Sequence, residues 1–129
     1  MLSIEESRAA AERLVQAAVR AGADAADVLY AGSRSTAVQV RLGELDHVSR
    51  SEGQEIGLRV FLGARSASVA SSDLSDEALG ELVTRALAMA AEAPDDPFAG
   101  LAPRDMLAAA PFAPLDSVDP VEPDPAELR

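Results

Sequence analysis

The sequence predicts an α+β domain in which two amphipathic helices pack on one face of an antiparallel sheet, a meander of about five strands. Three observations carry this reading. Apolar residues recur at helical spacing near both ends of the first 93 residues. Between those ends the apolar period changes to two. Glycines punctuate that middle stretch at intervals of roughly ten residues, as short turns between strands would.

The first helix is expected over residues 4–21. Ser3 followed by Glu6 is a capping-box pattern, in which serine and glutamate each satisfy an orphan backbone N–H. Ala11, Leu14, Val15 and Ala18 share one face, and Gly22 stands where a left-handed cap would end the helix. The strands follow, from Asp27 to Ser72. Thr36, Val38, Val40 and Leu42 alternate with Ala37, Gln39 and Arg41, while Ile56, Leu58, Val60 and Leu62 alternate with Gly57, Arg59 and Phe61. A more polar strand is expected between them at residues 45–52. Turns are expected at Gly32-Ser33, Gly43-Glu44, Gly53-Gln54 and Gly63-Ala64. The second helix starts at the N-cap Ser75, with Asp76 and Glu77 at its positive end and Leu74 placed to staple onto Leu79. Its stripe runs through Leu79, Leu82, Val83, Ala86, Leu87 and Ala90 and stops before Pro94.

All eight prolines lie between Pro94 and Pro125, so the chain divides into a body, residues 1–93, and a proline-rich acidic tail, residues 94–129. The tail sets eight acids against two arginines, too much charge and proline for a domain of its own. Leu101, Met106, Leu107 and Phe112 are its possible anchors. It reads as a linker toward a C-terminal domain outside this sequence.

Composition narrows the function. The net charge is −11, from 22 acids and 11 basic residues, and such a surface repels nucleic-acid phosphates and anionic lipids. Neither nucleic acid nor membrane is an expected partner. There is no cysteine, hence no disulfide framework and no thiolate, and a cytoplasmic location is expected. The start MLSIEESRAA has acid where a signal peptide carries positive charge. With 27 alanines and few aromatics, the core must be built from small and aliphatic side chains.

Little in the chain offers chemistry. His47 is the only histidine, in a polar strand, so no zinc set can converge on it and it reads as a solvent-facing strand residue. There is no G-x-S-x-G elbow and no glycine-rich phosphate loop. No catalytic residue, no metal ligand and no cofactor is expected in this chain. The candidates for contact with a peptide or partner are Arg41 and Arg59 on the polar sheet face, whose guanidinium forks suit carboxylates. Arg65, Ser66 and Ser68 join them on RSASVASS, a strand of small residues that could be an edge accepting another strand.

The segments GADAADVLYA, VRLGELDHV, GLRVFLGARSASVASSDLSDEAL and APDDPFAGLA resemble the N-terminal domain of the TldD/PmbA family, on its PmbA (TldE) side. The resemblance spans about residues 20–103, is most specific from Gly57 to Leu79, and thins past Pro103, although PLDSVDP at residues 114–120 is similar to the family's interdomain linker. The family, whose members also carry the name modulator of DNA gyrase, implies a cytoplasmic zinc-dependent peptidase system for unfolded or small peptides. In it a TldD-type subunit supplies the metal and an HExxxH motif, which is absent here. The resemblance therefore implies a non-catalytic domain of a PmbA-type subunit. Its partners would be a TldD-like subunit or a second copy of itself, together with the assembly's peptide substrate. The competing reading is a free-standing interaction module using the sheet edge or the acidic tail. An independent hydrolase built on His47 is the remaining reading from another class.

Overall fold

The computed structural model describes residues 1–119, 121 and 123–128. Pro120, Glu122 and Arg129, all counted in the tail's pattern above, lie outside them. The elements run α1 (Ile4–Arg20), β1 (Ala25–Arg41), β2 (Glu44–Leu62), β3 (Arg65–Ser71) and α2 (Asp76–Glu92), followed by a short 3-10 turn, Arg104–Met106. The α+β class and both helices agree with the sequence. The strand number does not: the sheet has three strands in the order β1-β2-β3, not five.

The difference lies in two glycines. Gly43 and Gly63 have φ of 81° and 58° and turn the chain. Gly32 and Gly53 are not in the left-handed region, and the strands continue through them. A glycine marks a turn only where the backbone needs positive φ, and inside a strand it lets a neighbour come close. At Gly32 a Cβ would lie 2.5 Å from the Met1 sulfur. The polar strand expected at residues 45–52 is thus the outer half of β2.

The chain forms two compact units. The first holds residues 1–33 and 53–101. Its core is one cluster: Ala10, Leu14 and Ala18 from α1, Ala26 from β1, Ile56, Leu58 and Val60 from β2, and Leu82, Val83, Ala86 and Ala90 from α2. Ile56, Leu58, Val60 and Leu82 are its largest fully buried side chains, and no described polar residue is buried. Burying an aliphatic side chain of this size contributes about 1.5–3 kcal/mol.

Caps set the helix ends. Ser3 Oγ accepts from the Glu6 N–H while Glu6 accepts from the Ser3 N–H, at 3.2 and 2.8 Å, completing the capping box. At the other end Ala23 N–H donates to the Ala18 carbonyl and Gly22 N–H to that of Val19, a Schellman closure that Gly22 permits at φ 114°. Ser75 caps α2 by accepting from the Ala78 N–H. Hydrogen bonds hold the Glu6 carboxyl, through Ser3, and the Asp73 carboxyl, through Ser75, below the usual carboxylate range. Both groups titrate lower folded than unfolded, so their stabilisation is present at neutral pH and lost as pH falls through the carboxylate range. Urea midpoints measured downward from neutral pH should fall there, and less steeply in Glu6→Gln/Asp73→Asn.

The N-terminus is tied to the sheet by Tyr30. Its hydroxyl accepts from the Leu2 N–H at 2.9 Å and donates to Gln54 Oε1 at 3.0 Å. Tyr30→Phe removes both bonds in a part-buried place and should cost about 1–3 kcal/mol, read as a lower urea midpoint at unchanged m.

The second unit holds residues 34–52 and 102–129. Its hairpin ends in the two-residue turn Leu42-Gly43, with φ of 52° and 81°, the signature of a type I′ turn. Ser35 and Ser51 hydroxyls meet at 2.8 Å across it. The tail carries small local turns, such as Asp119 Oδ1 accepting from the Val121 N–H at 2.9 Å. Met106, Leu107 and Phe112 are exposed.

Candidate functional site: the outer sheet face and the β3 edge

Antiparallel pairing sets Gly57 opposite Ala70, Arg59 opposite Ser68, Phe61 opposite Ser66 and Leu62 opposite Arg65. Since Ile56, Leu58 and Val60 point into the core, the alternate residues Gly57, Arg59 and Phe61 with Ser66, Ser68 and Ala70 line the face away from the helices. Three of the five residues singled out from sequence, Arg59, Ser66 and Ser68, are therefore brought together on one face. Arg65 lies in the opposite phase, and Arg41 ends β1 in the second unit.

Arg59 is held on both sides. Its Nε donates to Asp27 Oδ1 at 2.9 Å, its Nη2 pairs with Asp27 Oδ2, and its guanidinium carbon stands 5.1 Å from the Phe61 ring centroid. The bond to Asp27 raises the guanidinium's pKa, so Arg59 stays charged. Phe61, assigned to the polar face from sequence, is buried there and gives Arg59 a flat surface to stack on. Asp27 was missed. The two residues are 32 apart in sequence, and only the face-by-face alternation of β1 and β2 could have matched them.

Arg65 is bonded to α2. Its Nη1 donates to the Ala91 carbonyl at 2.6 Å, satisfying an acceptor at a helix end that has no basic residue in its last turn. Asp95 stands 3.9 Å from its Nε, mostly exposed. Arg65→Ala should lower stability by about 0.5–1 kcal/mol, and Asp95→Ala by less than about 0.5 kcal/mol, in paired urea melts.

The outer face forms an open depression whose rim and floor are Asp27, Leu29, Gly57, Arg59, Ser68 and Ala70. Leu29 is 73% exposed beside it. His47 is exposed in outer β2. Among the described residues no group of three or more His, Cys, Asp or Glu could hold a metal ion, and no helix is long and apolar enough to cross a membrane.

This arrangement, a three-stranded antiparallel sheet with two helices on one face and an open polar face on the other, is that of a known domain type. The family model described as PmbA/TldA metallopeptidase domain 1 matches residues 26–90, and the chain belongs to the PmbA/TldD family. It is 33% identical over 104 residues to a metalloprotease PmbA homolog of Haemophilus influenzae, covering 81% of this chain and 23% of the relative. It is 32% identical over 128 residues to metalloprotease PmbA of Escherichia coli O157:H7, covering 96% and 28%. The chain thus spans about a quarter of the length of these relatives. A crystal structure from Bacteroides thetaiotaomicron, of a candidate modulator of DNA gyrase, superposes with a TM-score of 0.72 at 20% identity, over 81% of this chain and 23% of that one.

Proposed function

We propose that this chain is the non-catalytic first domain of a PmbA-type subunit, working in the cytoplasm within a zinc-dependent peptidase assembly that acts on unfolded or small peptides. The observation that supports this most is the match of residues 26–90 to the first domain of a metallopeptidase family, in a sequence with one histidine and no HExxxH. Metal and water activation then belong to a TldD-type subunit, and this domain contributes surface. Arg59, Ser66 and Ser68 on the outer face, with Arg65 at the start of β3 and Arg41 at the end of β1, are the positions for contact with peptide or partner. The residues after 93 act as a linker toward a C-terminal domain.

The test is direct. The purified 129-residue chain, given excess zinc and a flexible peptide, should neither cleave the peptide nor retain stoichiometric zinc after gel filtration. Chelator-sensitive cleavage by this chain alone would sink the proposal. A second reading, an interaction module, is favoured by the position of β3 at the sheet edge, where unpaired backbone groups can accept an added strand. It predicts binding of an extended peptide that is lost on Val69→Pro, followed by amide exchange on β3.

A further inference from the structure

The chain leaves the first unit through a fastened turn. Just after α2 the Asp96 N–H donates to the Ala64 carbonyl at 2.7 Å, in the connection between β2 and β3. Asp96 then folds the chain back on itself: its carbonyl accepts from the Ala99 N–H at 3.0 Å and its Oδ1 from the Phe98 N–H at 2.9 Å. Asp in first place and Pro97 in second are residues that a tight turn favours. Together with the bond from Arg65 to the Ala91 carbonyl, residues 91–99 are held against the β2–β3 end at two points. This ordered turn displays Phe98 to water. At 93% exposure it is the most exposed large apolar side chain among the described residues of the first unit. The turn's hydrogen bonds are all made by the backbone and Asp96, so none of them needs a ring at position 98. An aromatic surface left in water stabilises nothing within its own unit.

We propose that Phe98 is an anchor that seats this domain in an apolar pocket of the domain following it in the same polypeptide. The proposal rests on the reading of the chain as the first domain of a longer subunit. Two observations select this occupant. The matched family domain is the first of its kind and the chain spans about a quarter of its relatives, so most of such a subunit lies on the far side of this exit turn. The connection is also short. Residues 102–129 reach at most about 100 Å when fully extended, so a domain joined through them is held at an effective concentration of about 0.4 mM or more. A separate protein must match that concentration to compete, and a second copy, also of net charge −11, is repelled. The fixed turn adds to the advantage, because its backbone is ordered before docking and little conformational freedom is left to lose.

The experiment compares the full subunit, expressed from its gene, with the 129-residue chain, each carrying the photoreactive amino acid p-benzoylphenylalanine at position 98, which keeps the ring. On irradiation the full subunit should gain a crosslink from position 98 to a residue beyond 129 of the same polypeptide, with no added mass on a denaturing gel. The 129-residue chain should gain none. In parallel, Phe98→Ser should lower the thermal midpoint of the full subunit by about 3 °C or more and leave that of the 129-residue chain, where the ring is solvated, unchanged. A crosslink to a second polypeptide, a crosslink confined to residues 1–129, no crosslink, or a Phe98→Ser effect independent of the rest of the subunit overturns the docking and leaves the domain reading standing. A gene product that ends at Arg129 overturns both.

Discussion

Ile56→Ala should be among the most damaging single changes in the chain, lowering stability by about 2–5 kcal/mol. Ile56 is fully buried, at 0% exposure, at the centre of the cluster that joins α1, β2 and α2. Only Leu58, Val60 and Leu82 match it among the largest buried side chains, so one of four principal core pieces is lost. The rest of the core is largely alanine, and short side chains cannot swing in to fill the space, so the cavity term stays near its upper end. Against the total of about 5–15 kcal/mol available to a domain, this is a large share. Thermal unfolding should drop by more than about 10 °C, since each kcal/mol moves a domain of this size by about 4–8 °C. Val60→Ala, which deletes less volume, should lose less. Equal losses for the two would mean that the core collapses around its gaps.

Ala86→Leu should destabilise by about 1–3 kcal/mol, for the opposite reason. Ala86 is fully buried on the inward face of α2, and so is Ala90 one turn on. These alanines let α2 lie close against the rest of the core, and three added heavy atoms have no room without moving the helix. Ala88 is exposed on the same helix. Ala88→Leu should change stability by less than about 0.5 kcal/mol, because leucine and alanine are both good helix formers and no packing is disturbed. Circular dichroism melts of the pair separate packing from propensity. Equal effects would show that buried alanines do not limit the approach of the helix.

Much of this fold was legible in the sequence, where local rules and the tertiary structure agree. Ser3 with Glu6, Gly22 and Ser75 marked the helix ends through bonds that the backbone requires anywhere. The alternation of Ile56, Leu58, Val60 and Leu62 correctly gave the core side of β2. Gly32 and Gly53 misled because composition cannot distinguish a glycine that turns the chain from one that leaves room for Met1 or Ser33 beside a continuous strand. The alternation puts Phe61 on the face away from the helices, but its burial there could not be read from parity. Arg59 covers it, and Asp27 holds Arg59 in place. Contacts between residues 32 apart depend on which strands pair, and spacing along one strand carries no record of that. For the same reason the bond from Arg65 to the Ala91 carbonyl, which satisfies the end of α2, could not be read from the sequence.

The central claim is that these residues serve as one non-catalytic domain within a larger PmbA-type subunit. An immunoblot of the source cell, with an antibody raised against this domain, tests it most directly. The matched 81% and 96% of this chain cover 23% and 28% of the two relatives, so if the native subunit has their length, 13.4 kDa should be about 28–29% of the whole, a band at about 46–48 kDa. A single band at 13.4 kDa would contradict the account and make the chain a self-contained module.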